Sequence, residues 1–393
     1  MRRVLFVDDD PSVLNGLRRV LRKMRGEWQT LFATSGQEAL ITMQECPVDV
    51  VVTDMQMPKM DGAQLLTQVA KLYPHTARII LSGHSELEMV LKSATTAHQY
   101  LAKPCDINAL KASIDRILKL QKLLNNEELE NMASKLNTLP SMSSVYQELN
   151  ELMFSPSSTM EQVGEVIAKD IGLSAKILQL VNSAFFGLKR EISSPAEASS
   201  FLGMDVIRGL VCNVTVFDML DESLGEGFNL ETISEKGLYT GIAAKAIAKH
   251  EKQSAIVCDH AFIAGLMHDV GKLVLAVNKP EEYRKVLKIM AAKGKADFIV
   301  EQHVFGQSHM AIGAYLLGLW GMHNNVVEAV AFHHRPDLCA NSGFLPLTAL
   351  YGALALDERL KRAEVKQYPL AALEKMGIDK DKMRQWGAVL KSL

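Results

Sequence analysis

The sequence predicts two folds in series: a doubly wound parallel α/β sheet over residues 1–120, then an all-helical domain from residue 139. Three observations predict this. Short strand-like runs alternate with helix-period patterns as far as residue 104, the signature of βα units and a parallel sheet. From Asp106 the strand pattern stops. After residue 139, apolar residues recur at three- and four-residue spacing with almost no two-residue alternation.

The first strand, residues 4–7, ends in Asp8-Asp9-Asp10. A helix pattern over 13–24 follows, then a short strand at 30–33 and a helix at 37–45. Residues 48–53 are mostly β-branched and apolar, as a strand buried on both faces requires, and Asp54 sits where that strand stops. Met57-Pro58 and Asp61-Gly62 break regular structure before a helix at 63–72. The strand 77–81 ends in Ser82-Gly83, a helix pattern covers 85–95, and the strand 99–102 ends in Lys103-Pro104. Open α/β sheets gather their chemistry at the carboxyl ends of the strands. That rule brings Asp8, Asp9, Asp54, Ser82 and Lys103 to one edge. Crowded carboxylates repel unless a cation holds them, and a hard oxygen site of this kind suits Mg²⁺. A hydroxyl and an ammonium beside it suit an anion with negative oxygens, so the set describes phosphoryl transfer to a carboxylate. After Asp106, Ile107, Leu110, Ile114 and Ile117 form one apolar stripe at helical spacing.

Residues 1–120 resemble a two-component response-regulator receiver domain. The resemblance rests on Val7-Asp8-Asp9, on Asp54 followed by Met57-Pro58 and Asp61-Gly62, and on Ser82, Tyr100 and Lys103-Pro104, in matching order and spacing. It implies a flavodoxin-like fold with Asp54 as phosphoacceptor, Asp8 and Asp9 as the Mg²⁺ acids, and the Gln56 carbonyl as a backbone ligand. It also implies that Ser82 bonds the phosphoryl oxygen, that Lys103 pairs with it, and that Tyr100 is the aromatic switch. A cis Lys103-Pro104 bond and a sensor histidine kinase or phosphotransfer protein as donor complete the expectation.

A linker helix is expected at 121–138, where Asn125-Asn126 and an acidic run at 127–130 look solvated. Leu139-Pro140-Ser141 marks a boundary, and residues 155–159 supply capping residues for an amphipathic helix at 163–168. Residues 170–184, 199–216 and 239–248 continue the helical spacing, and 344–356 is an apolar helix able to close the bundle. The charged stretches 361–366 and 375–384 read as solvated. His268-Asp269, His309 and His333-His334 gather imidazoles and a carboxylate from several helices, a set suited to Zn²⁺, Mn²⁺ or Fe. Equally, His268 and Asp269 would form a buried hydrogen-bonded pair, and His309 would cap a helix beside Ser308. Trp320 and the methionines read as core; His75, His84 and His98 read as surface residues. His250 and His260 fall poorly in the pattern.

Such a metal set belongs to HD-type phosphohydrolases, but those also carry a histidine on the helix before the His-Asp pair, and residues 237–245 have none. Their Gly-Tyr-Pro signature does not follow His333-His334 either. Residues 139–340 instead resemble the HDOD domain, an HD-like helical relative. The residues that carry this are Leu139-Pro140, Asp170 with Leu173, residues 181–184, Gly203, residues 265–271, Glu301 with Gly306, His309, Gly313-Ala314, Trp320 and His333-His334. Ile171 and His323 stand where the family often has proline. The resemblance implies a non-catalytic signalling or protein-interaction module, with His268, Asp269, His309, His333 and His334 as a degenerate HD site and no second metal. The alternative is a receiver-gated metal-dependent phosphohydrolase. Residues 341–393 close or extend the helical domain.

The formal net charge of −2 gives no push toward nucleic acid or anionic membrane, and no helix-turn-helix with a basic recognition face is found. Five scattered cysteines without a Cys-x-x-Cys spacing read as reduced thiols. The apolar run after Arg2-Arg3 is too short for a signal peptide, and no run reaches the length of a membrane span. The expectation is a cytoplasmic, phosphorylation-controlled regulator of a bacterial two-component system. It would act on an unidentified protein partner, alone or as a homodimer, with no DNA and no membrane.

Overall fold

The structure is a computed structural model describing residues 2–22, 28–82, 97–103, 107–124, 145, 148–149, 152, 158–182, 188, 191–203, 207, 228–339, 345–356 and 368–393. It contains two compact units, the first built on Met1–Asn137 and the second on most of the remaining chain.

The first unit is a five-stranded parallel sheet: β1 (Arg3–Val7), β2 (Gln29–Ala33), β3 (Val50–Asp54), β4 (Ala77–Ser82) and β5 (Gln99–Ala102), in the order β2-β1-β3-β4-β5. The predicted doubly wound fold is present. Every residue of β3 is buried, which is why the strand reads as a continuous apolar run rather than an alternating one. The switch in strand order falls between β1 and β3, and the register pairs Val7 with Thr53. The next residues, Asp8 and Asp54, are therefore neighbours at the carboxyl end, where such sheets place ligands. Pairing of Ser82 with Ala102 likewise sets Lys103 at that end.

The helix Pro11–Leu21 begins earlier than periodicity suggests because Asp10 accepts the Ser12 N–H as N-cap and Pro11 occupies the first turn. Asp61 and Gln64 form a reciprocal capping box at the start of Gly62–Leu72. The apolar stripe after Asp106 is the helix Ile107–Leu124, with Leu110, Ile114 and Ile117 fully buried. The predicted helix 85–95, Pro104, and the linker beyond residue 124 lie outside the described residues.

One expectation is overturned here. His98 is not a surface residue: it is fully buried. Arg78 lies buried within β4, and a buried guanidinium needs acceptors. Its backbone N–H donates to His98 Nδ1 at 3.1 Å, and its guanidinium sits 2.8 Å from Nε2. His75 is half-buried, and His84 lies outside the described residues.

The second unit is helical throughout its described elements. Thr159 caps Met160–Ala168 through a capping box with Gln162. The start of the helix expected at 199–216 falls in Pro195–Leu202, which ends at Gly203 with φ 79°, a left-handed value that suits glycine, and residues 204–216 apart from 207 lie outside the described residues. The pattern at 239–248 belongs to a longer helix, Leu230–His250, started by the Asn229 side chain on the Thr232 N–H. Within the apolar stretch Ala255–Asn278, 89% of an 18-residue apolar window is buried, as in a core element. Pro346–Leu356, Leu370–Lys375 and Lys380–Lys391 add their apolar faces to the core formed by Leu230–His250. The charged run 375–384 is thus only partly solvated: Met383 is buried, and in the same helix Trp386 is fully buried and donates to Glu251 at 2.9 Å.

Candidate functional site

At the carboxyl edge of the sheet, Asp8 (3% exposed) and Asp54 (8% exposed) are buried, and Asp9 is exposed. Each of the three offers a carboxylate oxygen within 4.8 Å of the others. The Lys103 ammonium bridges the buried pair, 2.7 Å from Asp54 Oδ1 and 3.0 Å from Asp8 Oδ2. Asp54 Oδ1 also accepts the Met55 N–H at 2.8 Å, which fixes the carboxylate plane. Gly62 is required beside it, since a Cβ there would overlap the Asp54 carbonyl oxygen. The loop between them turns on Lys59, a non-glycine residue at φ 69°.

Burial pushes the Asp54 carboxyl above its usual range, against the pull of Lys103. For Lys103, burial works against the ammonium, but its bonds to Asp54 and Asp8 outweigh burial and raise its pKa. Three converging carboxylate oxygens of hard-donor type fit Mg²⁺. Gln56 is exposed next to the site. The side chains of Ser82 and Tyr100 lie outside the described set, although their strands place Ser82 at the carboxyl edge and pair Tyr100 with Ile80.

Two close helix crossings assemble a second cluster. A Cβ at Gly265 would lie 2.5 Å from Gly241 Cα, and one at Gly237 would lie 2.6 Å from the Leu266 carbonyl oxygen. Leu230–His250 and Ala255–Met267 therefore run backbone against backbone. A Cβ at Gly271 would overlap the His309 carbonyl oxygen, so Val270–Asn278 presses as closely on the start of His309–Leu319. His268, Asp269, His309, His333 and His334 all come together and all are buried.

Three imidazoles are fixed through Nδ1. His268 donates to the Gly265 carbonyl at 2.7 Å and His333 to the Val330 carbonyl at 2.8 Å. His309 Nδ1 lies 2.6 Å from Glu301 Oε2, which also accepts its backbone N–H at 2.8 Å. Such bonds select the tautomer and turn Nε2 inward. His309 Nε2 and His333 Nε2 stand 3.3 Å apart. His268 and Asp269 are buried side by side as expected, with Nε2 3.3 Å from Asp269 Oδ2. His309 does not act as a side-chain cap, since Glu301 takes both its nitrogens on that side. His334 is stacked between Phe298 and Tyr368, at centroid distances of 4.7 and 4.8 Å. His260 stands apart, paired with Glu191 at 2.9 Å.

Sequence reasoning missed the cations and a further acid. Lys236 Nζ lies 3.2 Å from Asp269 Oδ2, and Lys272 Nζ lies 3.0 Å from Asp269 Oδ1 and 2.6 Å from Asp297 Oδ2. Asp297 is 2% exposed. Burial raises both acids, but His268, Lys236 and Lys272 hold Asp269, and chiefly Lys272 holds Asp297, well below the carboxylate range. Burial lowers His309, yet Glu301 and Asp297 reverse that and raise it. Burial holds His333 and His334 well below the imidazole range.

These directions fix how the helical unit responds to acid. Below about pH 6.5 the unfolded chain protonates His333 and His334 while the folded one resists, so stability falls as pH falls, at up to about 1.4 kcal/mol per unit for each. Above about pH 6.5 two terms oppose each other: the folded state keeps a proton on His309 that the unfolded chain has lost, while Lys176, lowered to about 7 by burial, gives up a proton that the unfolded chain keeps. Urea denaturation of the full chain should show the helical unit losing stability as pH falls from about 6.5 to about 5. A stability that holds or rises on that acidification would contradict this balance.

A model of the HDOD domain matches residues 139–336, and a model of the response regulator receiver domain matches residues 4–115. An uncharacterized protein of Treponema pallidum (strain Nichols) is 24% identical over 238 residues, 58% of this chain and 46% of its own. The transcriptional regulatory protein GlrR of Escherichia coli (strain K12) is 35% identical over 117 residues, 30% of this chain and 26% of its own. The chain thus spans less than half the length of these curated relatives. The crystal structure of the MmoQ response regulator from Methylococcus capsulatus str. Bath is 24% identical, with a TM-score of 0.46, covering 64% of this chain and 98% of that one.

Proposed function

Because the chain belongs to the HDOD domain family and carries a response regulator receiver domain ahead of that domain, we propose that it is a phosphorylation-controlled regulator of a bacterial two-component system whose helical output domain binds a protein partner without catalysis. The observation that carries the reading is the Lys103 ammonium held between Asp54 and Asp8 at the strand ends. Asp54 is the phosphoacceptor. Met55 and Lys103 engage Oδ1, which leaves Oδ2 to attack phosphorus while the donor's bond to phosphorus breaks and its electron pair departs with the donor. Lys103 faces the negative charge that accumulates on the transferred oxygens. Asp8, Asp9, Asp54 and the Gln56 carbonyl would hold Mg²⁺, which supplies further positive charge for those oxygens. Ser82 and Tyr100 take the roles of phosphoryl contact and switch. The donor is a histidine kinase, a phosphotransfer protein or a small acyl phosphate, and the setting is the cytoplasm.

The converging Nε2 atoms favour a second reading, a metal-dependent phosphohydrolase gated by the receiver. One experiment separates the two. The wild-type chain with acetyl phosphate and Mg²⁺ should gain a single phosphoryl group by intact mass. With Mn²⁺ or Fe²⁺ it should turn over neither cyclic dinucleotides nor nucleoside phosphates, whether phosphorylated or not. Turnover that vanishes in His268→Ala would replace the non-catalytic reading with the hydrolase.

A further inference from the structure

The output-domain cluster is contradictory as a metal site. Its nitrogens are arranged for one: His268, His309 and His333 are each fixed at Nδ1, and the Nε2 atoms of His309 and His333 stand 3.3 Å apart. Its acid is not. A metal held with these histidines would take Asp269, yet both oxygens of Asp269 already face ammonium groups, Lys236 at 3.2 Å and Lys272 at 3.0 Å. Lys272 also reaches the second buried acid, Asp297, at 2.6 Å. A dication entering at Asp269 would be brought against two fixed positive charges in a region of low dielectric, where charge repulsion is least screened.

The lysines are held there by the fold. Lys236 precedes Gly237, the residue that lets its helix touch the Leu266 carbonyl, two positions before His268. Lys272 follows Gly271, whose missing side chain admits His309. Both lysine side chains are largely buried, at 14% and 11% exposure. The carboxylates of Asp269, Asp297 and Glu301 are thus faced by two ammonium groups and the His309 imidazole, all from one unit. A buried acid must be paired, and here the compensating charge comes from side chains, with the His309 and Phe298 N–H groups donating to Glu301 and Asp297 as well.

We propose that Lys236 and Lys272 take the place of a divalent metal, satisfying Asp269 and Asp297 with built-in ammonium groups so that the output domain keeps a metal-shaped cluster and holds no metal in it. This rests on the non-catalytic reading of the same domain and gives that reading a cause.

The test counts bound Mn²⁺ per chain by elemental analysis after equilibrium dialysis of the full-length protein. The receiver acids also attract Mn²⁺, so the cluster's share is the difference from the matching His268→Ala protein. Wild type and His268→Ala should bind equal amounts. Lys236→Met should gain about one equivalent, lost again in Lys236→Met with His268→Ala, and Mn²⁺ should raise the melting temperature of Lys236→Met by more than that of the wild type. An extra equivalent in the wild type over His268→Ala would overturn the proposal, and that comparison decides even if Lys236→Met does not fold. A folded Lys236→Met that gains none would overturn it too. Hydrolysis by the wild type would instead strike the non-catalytic reading, so the two failures are distinct.

Discussion

Asp54→Asn is expected to take up no phosphoryl group from acetyl phosphate and Mg²⁺ under conditions that label the wild type. Asparagine has nearly the shape of aspartate, and its Oδ1 still accepts the Met55 N–H. What it lacks is an anionic oxygen able to form the acyl phosphate. The loss should be chemical rather than structural, and stability distinguishes the two. Burial raises the Asp54 carboxyl, so above about pH 3.9 the ionised side chain costs the folded state free energy, the more so beside Asp8. Replacing it with a neutral group removes that cost, while Lys103 keeps Asp8 at 3.0 Å. Asp54→Asn should therefore unfold within about 1 kcal/mol of the wild type in urea at pH 7, no more than the centre of the range for single substitutions. Labelling of the variant to the wild-type extent would remove Asp54 from the mechanism.

The receiver site was legible because a parallel sheet imposes its own geometry. Apolar β-branched runs located the strands, and the register then forced Asp8 beside Asp54 and set Lys103 at the same edge, although 49 positions separate Lys103 from Asp54 in the chain (103 − 54). His98 was misplaced because its position just before β5 reads as a loop. The signal that could have found it was Arg78, a cation near the start of a buried strand, which needs acceptors from the chain around it. In the output domain the histidines were legible by residue type and order. The lysines were not. On a helix, a lysine ordinarily reads as solvated, and only the crossing at Gly237, Gly241 and Gly265 turns Lys236 toward Asp269. Asp297 and Tyr368 were missed for the same reason, since neither lies near a histidine in sequence. Helical periodicity reports which face is buried, but not which helix it meets.

The largest loss of stability should come from Lys272→Met. Methionine fills much of the same volume and suits a helix, so packing alone changes little. The ammonium, however, is the link between Asp269 Oδ1 and Asp297 Oδ2, and both acids are almost fully buried. Without it Asp269 keeps Lys236, while Asp297 is left with its neighbour's Phe298 N–H at 2.7 Å and the weakly placed His334 at 3.5 Å. Removing one partner of a buried ion pair leaves a charge without compensation and typically costs about 3–5 kcal/mol. Urea denaturation at pH 7 should show a loss of that order in the helical unit. Two further results follow from the same cause. Asp297→Asn in the Lys272→Met background should recover part of the loss, because the uncompensated charge goes with the carboxylate. The gap between wild type and Lys272→Met should also narrow as pH falls toward 5. Without its ammonium, burial of the Asp297 carboxyl is opposed only by His309 and His334, so its pKa rises from the depressed wild-type position and the folded variant takes up a proton there at higher pH than the wild type does. A loss below about 1 kcal/mol, or a gap that widens at low pH, would mean that the acids of this cluster are held by something other than Lys272.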